Sequence, residues 1–378
     1  MKHIRRLAAG AALVICALSV NAGQAQGLPN PALGALAQEI APARDEVESA
    51  AAVIPSPAVL ERDLAAIRAW RQRLNALAPP ASRTLAPVDA HDARFLRAQL
   101  TYMTRLITMY KANPTARDGA QRLSHAGYAD LLRDDLLLPY TASDIERLAR
   151  AQLTESLAKI AWLETLAPLA HTVIAQELNI APAIDVLTFV GTHNLLTIPA
   201  GLAVDAGGDP GTVLAAVQRA IAQHNSDLVR ASSTCTVFEQ GWAAYAAQML
   251  VAVGFYGDDP TSRMRLALAQ RADAAGAMID LKVATSDWTR GQAVQFLVRE
   301  TGAGAQQAQA LVAGIALHPG VAIAPLVGRL QLENLLAQYR TRMNARGSLR
   351  DFHDRLLSYG SVPFAILGPE LLSDLPKP

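Results

Sequence analysis

Apolar residues along this chain recur three and four positions apart for most of its length, the spacing of one buried helix face, and stretches that alternate every second residue are scarce. Ser56 and Pro57 predict a helix start, with Leu60, Leu64, Ile67, Leu74 and Leu77 on one stripe and Pro79-Pro80 as the stop. A second helix is predicted from about His91 to Lys111, closed by Asn113-Pro114, and a short one around Tyr128 to Leu137. A long one begins at Thr141 or Ser143 and runs through Leu166. Leu28 to Pro55 read as a loose lead-in with one short helix, and Val186 to Val190 as a strand or buried segment. Beyond the glycine-rich loop Asp205 to Gly211, helices are predicted over Thr212–Val229, Pro260–Val283 and Ala305–Ile315. Thr289 and Gln292 form a capping box that opens another, closed by Gly302. The last two cover Val321–Asn344, kinked at Pro325, and Ser348–Leu357, where Ser348 and Asp351 resemble a capping box. The fold class is mainly α, with few or no strands.

Phe238 to Tyr256 stand apart. Glu239 is the only charge before Gly254, so a helix here is apolar on nearly every face and belongs inside the protein. Its inward-pointing positions are Gln, Ala and aromatic residues, which do no acid-base work and hold metals poorly.

Composition changes the picture at the N-terminus. Lys2, Arg5 and Arg6 precede an apolar run from Leu7 to Val20 and small residues at Ala22, Gly23 and Ala25, a secretory signal over residues 1–25 that predicts a periplasmic or secreted protein. The run is too short for a spanning helix, and no membrane span is expected once the signal is removed. Ile15 stands where a small residue should precede a lipid-bearing Cys16, so a lipid anchor is the weaker expectation. Cys235 is then the sole cysteine, and no intramolecular disulfide can form. Removing the three basic residues of the signal shifts the net charge from +1 to −2, a balance that favours no nucleic acid.

The usual catalytic patterns are missing. Seven histidines follow the signal, and the nearest two, His171 and His193, are 22 residues apart, so no helix turn offers a metal two imidazoles. Ser156 to Lys159 fit S-x-x-K without its partner motifs and read as a helix surface; G-x-S-x-G is absent.

From about Pro139 onward the chain resembles the bacterial family called domain of unknown function 885, which looks like a family of exported helical zinc peptidases. Phe238 to Gln248 match its Phe-x-Glu-Gly-Trp-Ala-x-Tyr-Ala-Glu, and Gly254-Phe255-Tyr256 with Asp259-Pro260 match its next turn. Trp288 to Ala293, His318-Pro319-Gly320, Gly328-Arg329-Leu330 and Leu349 to Leu357 follow in order. The likeness divides the chain into an N-terminal helical region, 26–138, and a peptidase-like domain, 139–378. It implies structural roles for Gly241, Trp242, Tyr245, Trp288, Phe352 and His353.

The departures from the family fall on its chemistry. Gln240 replaces an expected metal-binding glutamate and Ala247 another acid; Ala206, Gly207 and Thr212 fall where its histidines and catalytic glutamate stand, and Ala284 where a further histidine does. The resemblance therefore implies no metal, no cofactor and no catalytic residue, in a binding or scaffold protein with a peptide or protein partner. The alternative is a hydrolase with a rebuilt site drawn from Glu239, Asp205, Asp209, His193, His224 or His353.

Overall fold

The computed structural model describes residues 29–49, 55–80, 82, 84–112, 122–166, 183–199, 210–373 and 375–376. Among them the regular structure is entirely helical. The helices are α1 (Pro31–Ser49), α2 (Pro57–Leu77), α3 (Pro87–Ala112), α4 (His125–Asp130), which runs into a π-helical turn at Leu131–Asp135, and α5 (Ala142–Leu166). Then come α6 (Ala183–Thr192), α7 (Pro210–Gln223), α8 (Leu228–Ser232), α9 (Thr236–Ala252) and α10 (Pro260–Ala284). The C-terminal part holds α11 (Arg290–Thr301), α12 (Ala305–Leu317), α13 (Ala324–Met343), α14 (Leu349–Ser358) and α15 (Phe364–Ser373).

Helices α1 to α3 gather around Leu36, Ile40, Leu74, Leu96, Leu100 and Tyr110, and Val229 of α8 plugs into this layer. The larger core is built on α9, with Phe238, Trp242 and Leu250 packed among Val213 and Val217 of α7, Val327 of α13 and Phe352 of α14. Phe95 and Ala98 of α3 and Tyr128 of α4 also enter it, so the two layers share a seam. Helix α10 is buried on several faces. Ile279 and Val283 pack with α11 and α12, and Met264 and Ala267 with Ile160 and Leu163 of α5. Ion pairs from Lys282 to Glu146 (2.8 Å) and Arg271 to Glu300 (2.5 Å) tie the same layers.

The caps follow the sequence in part: Ser56 precedes α2 without a side-chain capping bond, and Asp351 does not complete a reciprocal box with Ser348. Thr289 and Gln292 form the reciprocal box that opens α11, and Gly302, at φ 69°, closes it in the left-handed conformation. Ser348 accepts the Asp351 N–H at the start of α14 (3.0 Å). Five expectations need correction. Val186 to Val190 lie in helix α6 rather than a strand: Val186 and Val190, one turn apart, are both fully buried, and a five-residue apolar run cannot by itself separate the two periods. The lead-in is not loose, because α1 buries Leu33, Leu36, Ala37, Ile40 and Val47. Pro325 sits in the first turn of α13, where its missing N–H costs nothing, and so does not kink a longer helix. Ser156 is buried rather than on a helix surface, and its hydroxyl returns to the Leu153 carbonyl (3.1 Å). Helix α7 also ends at Gln223, short of Val229, because Asn225 and Asp227 turn the chain and Asp227 caps α8.

Candidate functional site

Helix α9 is held by its neighbours at defined points. Gly241 meets Gly328 of α13 so closely that a Cβ on Gly328 would lie 2.0 Å from the Val237 carbonyl oxygen and 2.6 Å from the Gly241 Cα. On the next face Trp242, fully buried, donates its Nε1–H to the Leu214 carbonyl of α7 (2.9 Å). Tyr245 reaches His353 of α14 (2.9 Å from the phenol oxygen to Nε2), and His353 Nδ1 lies 2.7 Å from the Leu195 carbonyl. A carbonyl only accepts, so Nδ1 carries the proton and Nε2 accepts from the Tyr245 hydroxyl. Burial pushes His353 down to about 4, and both ring nitrogens are engaged, so the imidazole is neutral and has no free lone pair for base chemistry. Its neighbour Asp354 receives the Thr197 N–H (2.8 Å) and Arg350 bonds Asn194 (2.8 Å), so α14 holds the Asn194–Thr197 turn at three points. Phe352 is buried against Tyr339, and Trp288 packs on Phe296 (4.8 Å between ring centroids).

The other acid and base candidates do not converge. Glu239 accepts from Ser361 Oγ (2.6 Å), which in turn accepts the Cys235 N–H (2.9 Å); this chain of bonds secures the start of α9. His193 stacks on Phe189 (3.8 Å) at the exposed end of α6, and His224, just past α7, bonds back to the Ala220 carbonyl of that helix (2.7 Å). Asp205, Asp209, Ala206 and Gly207 lie outside the described residues. Thr212 is exposed in the first turn of α7, whereas Ala284 is buried at the end of α10, where its carbonyl accepts the Leu123 N–H (2.8 Å). Among the described residues no three His, Cys, Asp or Glu side chains are gathered to hold a metal ion.

Asp280 has a different task. Fully buried, it receives the N–H groups of Gly320 (2.8 Å) and Ala322 (3.0 Å) and the Tyr128 hydroxyl (2.9 Å). Burial raises it to about 6 despite these donors. It thereby ties the turn before α13 to α10 and α4.

Gln240, Ala244, Ala247 and Val251 fall at i, i+4, i+7 and i+11 of α9 and form one half-buried stripe. At the Val251 end the stripe runs into a cleft of about 500 Å³ bounded by α5, α9, α10 and α13. Arg329, 4% exposed, lies at its base. The guanidinium donates to Glu333 (2.7 Å), Gln248 (3.3 Å) and Gln152 (2.5 Å). Gln248 donates to Glu333 (2.8 Å) and receives Gln270 Nε2 (2.7 Å). Lys159, Glu155 and Arg263 stand around these groups, with Val251, Leu266 and Leu330 as apolar wall. Burial raises Asp273, in the neighbouring turn of α10, to about 6 while Arg329 opposes the rise. The sequence reading missed this cluster. Its signal was there: Gln248 and Arg329 are polar residues inside otherwise apolar helical stripes, where an unpartnered polar group would be costly.

Residues 216–371 match the model of a family described as bacterial protein of unknown function, DUF885. The match begins in α7 and takes in α9, the helices after it and most of α15. No curated protein matches the chain. Among solved structures, it is similar to a "putative lipoprotein" from Colwellia psychrerythraea (15% identity, TM-score 0.56, covering 90% of this chain and 74% of that one). A "putative lipoprotein of unknown function" from Shewanella oneidensis is similar too (13% identity, TM-score 0.56, covering 83% and 72%). At such identities the likeness extends to the fold alone. No helix among the described residues is long and apolar enough to cross a membrane.

Proposed function

We propose that this protein is an exported, peptidase-like helical protein whose metal site has been lost, and that it acts by binding a peptide or protein rather than by catalysis. The observation that carries the reading is the stripe of α9. Where the resembled family would present carboxylates, it offers an amide at Gln240 and a methyl group at Ala247, with Ala244 between them, then opens into a cleft lined with hydrogen-bonding amides. The stripe itself carries no acid or base, only an amide and methyl groups, so it offers shape and hydrogen bonds rather than a group to activate water. The N-terminal signal supports export to the periplasm or beyond. In this reading residues 139–378 are the peptidase-like part, and 26–138 form a helical buttress against it.

The test is to incubate the purified full-length mature chain, with and without added zinc, with a mixture of unstructured peptides. The reading expects bound peptide recovered intact; turnover that depends on zinc would overturn it.

A further inference from the structure

The polarity of the cleft is set by two side chains. Amide oxygen and nitrogen are told apart only by their partners, and here Arg329 can only donate while the Glu333 carboxylate only accepts. Gln152 must therefore turn its oxygen to Arg329 (2.5 Å), which leaves its NH2 group unengaged. Gln248 is fixed at both ends, taking Arg329 on its oxygen and giving its NH2 to Glu333. Because that same oxygen also receives Gln270 Nε2, Gln270 keeps its carbonyl oxygen unengaged. Gln152 and Gln270 both line the cleft, so it offers one amide donor and one amide acceptor, the complement of a secondary amide.

Charge adds a second requirement. The cleft is lined by three cations, Lys159, Arg263 and Arg329, against two acids, Glu155 and Glu333. Lys159 has no ion-pair partner among the described residues, and Arg263 has only a long contact (3.4 Å) to the exposed Asp258. Arg329 Nε is buried without a partner among the described residues, so the guanidinium at the base is only partly compensated.

We propose that this cleft binds a ligand in which a secondary amide adjoins a carboxylate, as in the C-terminal end of a peptide or an N-acylated amino acid. The ligand carbonyl accepts from Gln152, its N–H donates to Gln270, and its carboxylate lies toward Lys159 and Arg263. This rests on the binding reading above and names the ligand class for it.

The experiment is calorimetric titration of the full-length mature chain with acetyl-triglycine, its C-terminal amide and N-acetylglycine. The acid should bind at least about tenfold tighter than its amide, because the amide lacks the charge-assisted contacts. Gln152→Glu keeps an acceptor for Arg329 but turns the free donor into an acceptor. It should weaken acetyl-triglycine about tenfold without lowering the melting temperature. Lys159→Gln with Arg263→Gln should erase the preference for the acid. Tighter binding of acetyl-triglycine than of N-acetylglycine identifies a peptide end as the source, and equal binding an acylated amino acid. Equal affinity for acid and amide, no saturable binding, or unchanged affinity in Gln152→Glu overturns the proposal. Hydrolysis of bound acetyl-triglycine would instead end the non-catalytic reading while leaving the ligand class in place.

Discussion

Gly241 and Gly328 leave no space between α9 and α13: a Cβ on Gly241 would fall 2.4 Å from the Gly328 Cα, and one on Gly328 still closer to the Val237 carbonyl. The backbones touch, and any side chain must push the two helices apart. Gly328→Ala should therefore cost about 3 kcal/mol or more, lowering the melting temperature by roughly 5 to 10 °C. Gly314, in α12 with open space around it, is the control; Gly314→Ala should gain about 0.5 kcal/mol from helix propensity. Equal melting temperatures for wild type and Gly328→Ala would mean that the helices are not in contact there.

His353 gives the protein an acid-sensitive joint. Its folded pKa lies near 4 and its ordinary value is 6.5, so between these the unfolded chain binds a proton that the native state refuses. The stability it contributes is fully present above about pH 6.5 and is lost as pH falls toward 4. Urea midpoints of wild type and His353→Gln should thus converge on acidification from pH 7.5 to 5. Tyr245→Phe, which leaves Nε2 without its donor, should cost about 1 to 2 kcal/mol and keep the pH trend. A gap between wild type and His353→Gln that does not change with pH would show that the imidazole is not buried.

The cluster around Arg230 has the opposite sign. Arg230 of α8 holds Glu370 of α15 through two bonds (2.8 and 2.9 Å) and Asp92 of α3 through Nε (3.2 Å), with Asp227 3.5 Å away. Burial, and then the bond to Asp227, push Asp92 up to about 8. The native state therefore keeps a proton that the unfolded chain has lost, and this contribution fades as pH rises from about 4 to 8. Asp92→Asn mimics the protonated form. Relative to wild type it should gain stability as pH climbs from 5 to 8 in the same urea series. Parallel pH profiles for the two proteins would show that Asp92 is ionised throughout.

Gln240→Glu tests the lost metal site. Wild type should carry far less than one zinc per chain by elemental analysis, and the substitution should not restore binding, because one carboxylate without histidine ligands makes a weak site. The half-buried new charge should lower stability slightly. One tightly held zinc in either protein would point to ligands gathered from distant parts of the chain.

The helical class and most caps could be read from the sequence because each rests on local chemistry: Thr289 with Gln292, Gly302 past the end of α11, and Pro260 after Asp259 at the start of α10. Helix α6 could not, since a short apolar run looks alike in either period until Val186 and Val190 are seen to share a core. Nor could α15, whose Pro369 lies inside the helix and disguises it. The cleft was legible only as isolated polar residues, Gln248 and Arg329, within apolar stripes. Gln152, Gln248, Gln270 and Arg329 sit on four different helices, and only tertiary packing reveals that one guanidinium orients two amides directly and a third, Gln270, through Gln248.

Arg230 also has a consequence for the order in which the molecule can be completed. Glu370, its bidentate partner, comes from α15, the last described helix, and it touches His91 of α3 as well (2.7 Å). Arg230 and His91 thus meet this partner only once α15 has emerged. If the chain is exported as proposed, threaded through a membrane from its N-terminus, it would cross with this joint unmade and close it only on the far side.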